Sequence, residues 1–135
     1  MFVVDASITL AWCFADEATD RTDGVLRRLL AEGGLAPAHW PAEVANALRF
    51  GVRRGRIDGE KMVEARSLLT QVPVDVVPIG VADAMDLIDI AQQHDLSVYD
   101  AAYLELADIR GLALATLDER LVAACRTRGV ELIAA

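Results

Sequence analysis

The chain has 135 residues, of which 54% are hydrophobic, and a formal net charge of −8. That length is enough for one complete hydrophobic core and too short for two, so we expect a single domain over residues 1–135. No apolar run approaches the roughly 20 residues that a membrane span requires. The acidic total argues against binding nucleic acid through a broad basic face, and it leaves a surface suited to a basic protein partner.

The N-terminus and the cysteines both predict a cytoplasmic protein. Residues 1–5 contain no basic segment and no cleavage site of the kind that directs secretion. Cys13 and Cys125 lie in apolar helical contexts without metal-ligand spacing, so we interpret both as reduced core residues.

The first half of the chain alternates short apolar runs with amphipathic stretches. Strands are predicted at residues 2–5 and 35–37, the second following a helix that ends at Gly33-Gly34. Helices are predicted over residues 7–17, 20–32, 41–55 and 59–70. Ser7 and Asp58 are the predicted N-caps of the first and last of these helices.

The second half continues the same alternation. Strands are predicted at residues 74–77, 112–115 and 131–133, and helices over residues 80–93, 100–110 and 118–128. Strands and helices at this rhythm imply right-handed crossovers and a mostly parallel sheet covered on both faces. The predicted fold is therefore a three-layer α/β/α sandwich with a five-stranded sheet.

Four acidic residues lie where a predicted buried strand ends or a predicted helix begins. They are Asp5, Glu43, Asp100 and Asp118. In an α/β fold these positions gather at one edge of the sheet, which is the usual place for ligands. Each acid alone has a plain alternative explanation, because a carboxylate in the first turn of a helix stabilises that helix. Together, four converging carboxylates would repel one another unless a hard cation such as Mg²⁺ or Mn²⁺ lay between them.

Four segments that contain these acids resemble the PIN-domain nucleases, specifically the VapC toxins of bacterial toxin–antitoxin pairs. The segments are Val3-Val4-Asp5-Ala6-Ser7, Trp40-Pro41-Ala42-Glu43-Val44, Tyr99-Asp100-Ala101-Ala102-Tyr103-Leu104 and Leu114-Ala115-Thr116-Leu117-Asp118. The resemblance implies a parallel sheet in the order 3-2-1-4-5, ribonuclease activity, and neutralisation by a small VapB-type antitoxin. It also implies that the four acids form a metal site, with the Ser7 and Thr116 hydroxyls close to it.

The residues suggest a mechanism that agrees with this resemblance. Asp5, Asp100 and Asp118 would provide oxygen ligands to one Mg²⁺ or Mn²⁺. Glu43 would orient a water molecule or help to hold a second ion. Hydrolysis by water, assisted by the metal, should leave a 5′-phosphate and a 3′-hydroxyl on the RNA products.

A cluster of arginines is a candidate RNA-binding surface. Arg49, Arg53 and Arg54 fall close together near the end of a predicted helix, where they could contact phosphates. A solvated helix face is the alternative interpretation.

We further predict a homodimer that binds a basic antitoxin segment near the first two helices. The stretch from Ile8 to Ala15 is apolar nearly all round, which is typical of a helix that lies under a partner.

Two other classes of protein are alternatives to a nuclease. A phosphoacceptor domain is disfavoured because Lys61 lies within a predicted helix, not at a strand end. A catalytically silent PIN-like module that binds RNA or protein remains the main alternative.

Overall fold

The computed structural model of the protein describes residues 1–133. The strands are β1 (Phe2–Val4), β2 (Gly34–Pro37), β3 (Val74–Val77) and β4 (Leu114–Ala115). They form one parallel sheet in the order β3-β2-β1-β4. The α/β fold and the order of the first four strands are therefore confirmed.

Helices connect and cover these strands. They are α1 (Ala6–Ala11), α2 (Asp20–Glu32), α3 (Trp40–Arg53), α4 (Gly59–Gln71), α5 (Val81–His94), α6 (Val98–Arg110) and α7 (Glu119–Arg128). None of the helices within residues 1–133 is both long and apolar enough to cross a membrane.

The predicted fifth strand forms only a single bridge to the sheet. Leu114 pairs with Leu132 in parallel, through a bond from the Leu114 N–H to the Glu131 carbonyl and another from the Ile133 N–H to the Leu114 carbonyl, each 2.9 Å. Because β4 itself is only two residues long, it offers too little backbone for a longer ladder. Within residues 1–133 the sheet thus has four strands, where the sequence predicted five.

The central strand β1 lies between β2 and β4 and is buried along its whole length. Because successive side chains of a strand point to opposite faces, complete burial requires cover on both faces of the sheet. Helix α6 packs against β1, β2 and β4. This packing places the first turn of α6 near Asp5, the residue that follows β1.

Helix α1 is shorter than predicted, and its cap is a different residue. The helix ends at Ala11, whereas the sequence predicted a helix as far as Glu17. Its N-cap is Asp5, not Ser7, and the Asp5 side chain accepts a hydrogen bond from the Ile8 N–H at 3.0 Å. The chain then turns so that the Phe14 ring packs on Gly51, where a Cβ would lie 2.5 Å from Cε1 of that ring. Tertiary packing therefore ends the helix early.

Candidate active site

Asp5 is a buried carboxylate held by three hydrogen bonds at the end of β1. Its Oδ1 accepts from the Ser7 hydroxyl at 2.7 Å and from the Ile8 N–H at 3.0 Å. Its Oδ2 accepts from the Thr116 hydroxyl. These donors satisfy the carboxylate and fix its orientation at the carboxyl edge of the sheet, where ligands of parallel sheets bind.

The Ser7 and Thr116 hydroxyls join the ends of β1 and β4. Ser7 Oγ accepts from the Leu117 N–H at 2.8 Å, and Thr116 Oγ1 accepts from the Asp118 N–H at 3.0 Å. The two hydroxyl oxygens lie 3.3 Å apart. Both side chains thus lie directly beside Asp5 and tie it to the segment that leads into α7.

The other three acids occupy the starts of helices. Asp118 caps α7 and accepts from the Leu121 N–H at 2.9 Å. Asp100 lies in the first turn of α6, which begins two residues earlier than predicted. Glu43 lies in the first turn of α3 and accepts a 2.9 Å hydrogen bond from the Tyr103 hydroxyl. Asp5 and Asp118 therefore do cap helices, namely α1 and α7. This role does not conflict with their location at the same edge of the sheet.

All four acids line one pocket of about 510 Å³. The residues that line this acidic pocket are Asp5, Ser7, His39, Ala42, Glu43, Asn46, Ser97, Tyr99, Asp100 and Asp118. Lysine and arginine are absent from this set of described residues. The pocket consequently carries a concentration of negative charge with no basic side chain in its lining to balance it.

Asp5, Asp100 and Glu43 hold their protons more tightly than free carboxylates do. Burial raises the pKa of Asp5 to about 6, against the opposing effect of its hydrogen bonds. Burial also raises the pKa of Asp100, and repulsion from Asp118 and Glu43 adds to that rise. The pKa of Glu43 is raised by burial as well, although the bond from Tyr103 opposes it. Burial and mutual repulsion are the two effects that a bound cation would offset.

His39 does not supply the missing positive charge. Burial lowers the pKa of His39 below its usual value, so the ring is neutral at pH 7. Its Nε2 lies 3.5 Å from Glu43 Oε1 and has no hydrogen-bond partner among residues 1–133. The ring also packs against Tyr99 and Tyr103, with centroid distances of 5.1 Å to each.

The donor chemistry of the pocket fits a hard divalent cation, but the side chains do not converge on one point. Carboxylate and hydroxyl oxygens are the ligands that Mg²⁺ and Mn²⁺ prefer. Within residues 1–133, however, no three His, Cys, Asp or Glu side chains lie in an arrangement that could hold a metal ion. Both Asp5 oxygens and one oxygen each of Glu43 and Asp118 already accept hydrogen bonds within the protein.

The predicted RNA-binding arginines do not line this pocket. Arg49, Arg53 and Arg54 are exposed and follow Glu43 along and just beyond α3. Arg49 lines a separate cavity between α3 and α4, and the Arg53 guanidinium lies 5.6 Å from the centroid of the Phe50 ring. None of the three arginines is among the residues that surround the four acids.

Several pocket residues were not identified from the sequence. His39, Asn46, Tyr99 and Tyr103 all lie at or behind the acidic pocket. A signal existed for the tyrosines, because they flank Asp100 at positions −1 and +3 of one helical segment. No comparable signal exists in the sequence for His39.

Comparison with known proteins gives a consistent result. The PIN domain family matches residues 2–127. Ribonuclease VapC3 of Mycobacterium tuberculosis is 36% identical over 124 residues, covering 90% of this chain and 85% of that protein. A VapC ribonuclease of Mycobacterium bovis is 34% identical over 127 residues, covering 90% and 88%.

Solved structures share the fold. The Pyrobaculum aerophilum protein PAE2754 superposes with a TM-score of 0.69 at 25% identity, covering 91% of this chain and 84% of the other. The Mycobacterium tuberculosis toxin VapC20, described as cleaving the sarcin-ricin loop, gives a TM-score of 0.65 at 21% identity, with coverage of 92% and 95%. FitAcB of Neisseria gonorrhoeae gives 0.60 at 20% identity, with coverage of 98% and 96%.

Proposed function

Because this chain belongs to the PIN-domain family, we propose that it is a ribonuclease toxin that hydrolyses RNA phosphodiester bonds with the help of a divalent cation. The observation that carries the proposal is the acidic pocket, where four carboxylates meet without a basic side chain in the described lining. The names of the relatives, which are VapC ribonucleases, support the choice of RNA as substrate.

The cation would be Mg²⁺, with Mn²⁺ as a substitute, and Asp5, Asp100 and Asp118 would hold it. When bound, such an ion supplies Lewis acidity that offsets charge at the scissile phosphate and makes water a better nucleophile. Ser7 and Thr116 would keep the Asp5 carboxylate in place through the hydrogen bonds that they donate to it.

Glu43 would act as the general base for water. The Tyr103 hydroxyl donates to Oε1 at 2.9 Å, which fixes the carboxylate and leaves Oε2 to take a proton. The raised pKa of Glu43 brings its basicity closer to that needed near pH 7. Attack by water on the phosphate, with the 3′-oxygen as leaving group, yields a 5′-phosphate and a 3′-hydroxyl.

A small basic antitoxin would neutralise the enzyme. The net charge of −8 favours a basic partner. A groove of about 390 Å³ lies between the segment after α1 and helix α4, with Trp12, Phe14, Lys61 and Glu64 in its lining. This groove is the surface that we assign to the antitoxin, and the proposal places the pair in the cytoplasm, where the buried thiols of the free cysteines stay reduced.

The active form would be a homodimer. Val81, Met85 and Ile88 are large apolar side chains exposed on α5, and their spacing places them along one helix face. A second copy of the chain would cover this stripe. Light scattering of wild type and Met85→Lys tests the assignment: a monomer in wild type, or an unchanged dimer in the variant, contradicts it.

One observation favours the alternative of a catalytically silent module. Within residues 1–133, no three His, Cys, Asp or Glu side chains lie in an arrangement that could hold a metal ion. A cleavage assay decides between the two. We expect wild type to cleave RNA only with Mg²⁺ or Mn²⁺, and Asp100→Asn to lose about 10²-fold or more of the rate, the scale of an essential catalytic group.

Asp83→Asn is the matched control for Asp100→Asn. Asp83 also lies in the first turn of a helix, at the start of α5, but it does not line the acidic pocket. Its variant should retain full activity. Cleavage in chelator, or by Asp100→Asn at the wild-type rate, would refute the mechanism, and no cleavage under any condition would favour the silent module.

A further inference from the structure

Tyr99 presents an aromatic ring at the acidic pocket. The residue is 62% exposed and lines the pocket directly beside Asp100. Its ring centroid lies 5.1 Å from that of His39, with the two planes tilted by 57°. His39 in turn packs edge-on against the fully buried Tyr103, also at 5.1 Å. Three rings therefore run from the core to solvent, so the exposed ring rests on a fixed support.

The pocket needs a means of holding RNA that does not depend on basic side chains. RNA-binding surfaces usually contact phosphates through lysine and arginine, yet neither type occurs in the described lining of this pocket. Arg49, Arg53 and Arg54 are not among the residues that line it either, and Arg49 lines a separate cavity. Stacking of a base on an aromatic ring binds nucleic acid without any protein charge, because every base has a π-face.

We propose that Tyr99 stacks on an unpaired base next to the phosphate that the pocket cleaves. The contacted base must be unpaired, because a base within a duplex is not available for stacking on a side chain. The inference rests on the proposed ribonuclease function of the same pocket.

Two substitutions separate stacking from other roles of Tyr99. Tyr99→Phe keeps the ring and removes the hydroxyl, whereas Tyr99→Leu keeps an apolar side chain and removes the π-face. We expect Tyr99→Leu to lower kcat/KM on a short single-stranded RNA by about 5- to 100-fold, mainly through KM, and Tyr99→Phe to stay within about twofold of wild type.

Ile109→Ala is the control for loss of an exposed apolar side chain. Ile109 is 71% exposed on the same helix but lies near its other end, so its variant should match wild type in kcat/KM. Thermal melts of all variants check that folding is unaffected. An equal loss in Tyr99→Leu and Tyr99→Phe would overturn the proposal, because it would assign the effect to the hydroxyl.

The substrate can be varied in the same experiment. An RNA with an abasic nucleotide beside the cleaved phosphate lacks the stacking partner, so wild type and Tyr99→Leu should cleave it at equal, reduced rates. A continued difference between the two proteins on this RNA would overturn the proposal, as would wild-type kinetics of Tyr99→Leu on the intact RNA.

A binding measurement distinguishes failure of this inference from failure of the proposed function. Fluorescence anisotropy of a labelled single-stranded RNA reports binding whether or not the RNA is cut. If wild type binds the RNA more tightly than Tyr99→Leu does but never cleaves it, the ribonuclease proposal fails and the stacking role stands. If wild type and Tyr99→Leu bind the RNA equally and cleave it equally, only the stacking role fails.

Discussion

Substitution of Asp5 by Asn should change the pH dependence of stability in a defined direction. The pKa of Asp5 is raised from 3.8 to about 6 by burial. A carboxyl group whose pKa is higher in the folded protein than in the unfolded chain stabilises the fold only while it is protonated. That contribution is complete below about pH 4 and is lost as the pH rises through 6. Over this window it amounts to about 3 kcal/mol.

The Asn variant removes this titration and retains most of the local hydrogen bonds. Its amide oxygen can still accept from the Ile8 N–H and the Ser7 hydroxyl, which lie 3.0 Å and 2.7 Å from Asp5 Oδ1. Its amide N–H₂ would donate to Thr116 Oγ1, whose proton can turn towards Ser7 Oγ, 3.3 Å away. The free energy of unfolding in chelator should therefore exceed that of wild type by up to about 3 kcal/mol at pH 7.5, and the difference should shrink towards pH 4.

Urea denaturation at several pH values between 4 and 7.5, with chelator present throughout, measures these free energies. Asp58→Asn is the matched control, because Asp58 is an exposed N-cap that accepts from the Lys61 N–H at 2.8 Å and lies outside the pocket. Its effect should be small, because Asn and Asp are about equally good N-cap residues. Parallel pH profiles of wild type and Asp5→Asn would refute the reasoning, because they would show that Asp5 is not a desolvated carboxylate.

Three further outcomes are expected. Tyr103→Phe removes the hydrogen bond that lowers the pKa of Glu43, so the acidic limb of the pH–rate profile should move to higher pH; an unmoved limb would deny Tyr103 this role. Mn²⁺ at about 100 times its dissociation constant should raise the free energy of unfolding of wild type by about 2.7 kcal/mol in thermal melts, and equal gains in Asp100→Asn would exclude Asp100 as a ligand. Gly51→Ala should destabilise the fold by about 1–3 kcal/mol, because a Cβ there would lie 2.5 Å from the Phe14 ring; wild-type denaturation curves would contradict that packing.

Local sequence determined where most helices and strands form and which acids are candidates for the site. The apolar run from Phe2 to Val4 predicts a buried strand because no polar side chain interrupts it, and the structure has β1 at these residues. Asp58 caps its helix as predicted, since a cap is a bond between a side chain and a backbone N–H only three residues away. The gathering of the acids at one edge follows from the parallel sheet, which the alternation of elements had predicted.

Only the tertiary structure decided what surrounds those acids. Tyr103 donates to Glu43 across 60 positions of sequence, a contact that no local pattern encodes. Arg53 lies ten residues after Glu43 on the same helix, and at about 1.5 Å per residue this places it roughly 15 Å along the helix axis from Glu43. The clustering of Arg49, Arg53 and Arg54 predicted contacts to phosphates, and only the packed structure shows that the three do not line the pocket of the acids. A side chain's chemistry is local, whereas its neighbours depend on how whole elements pack.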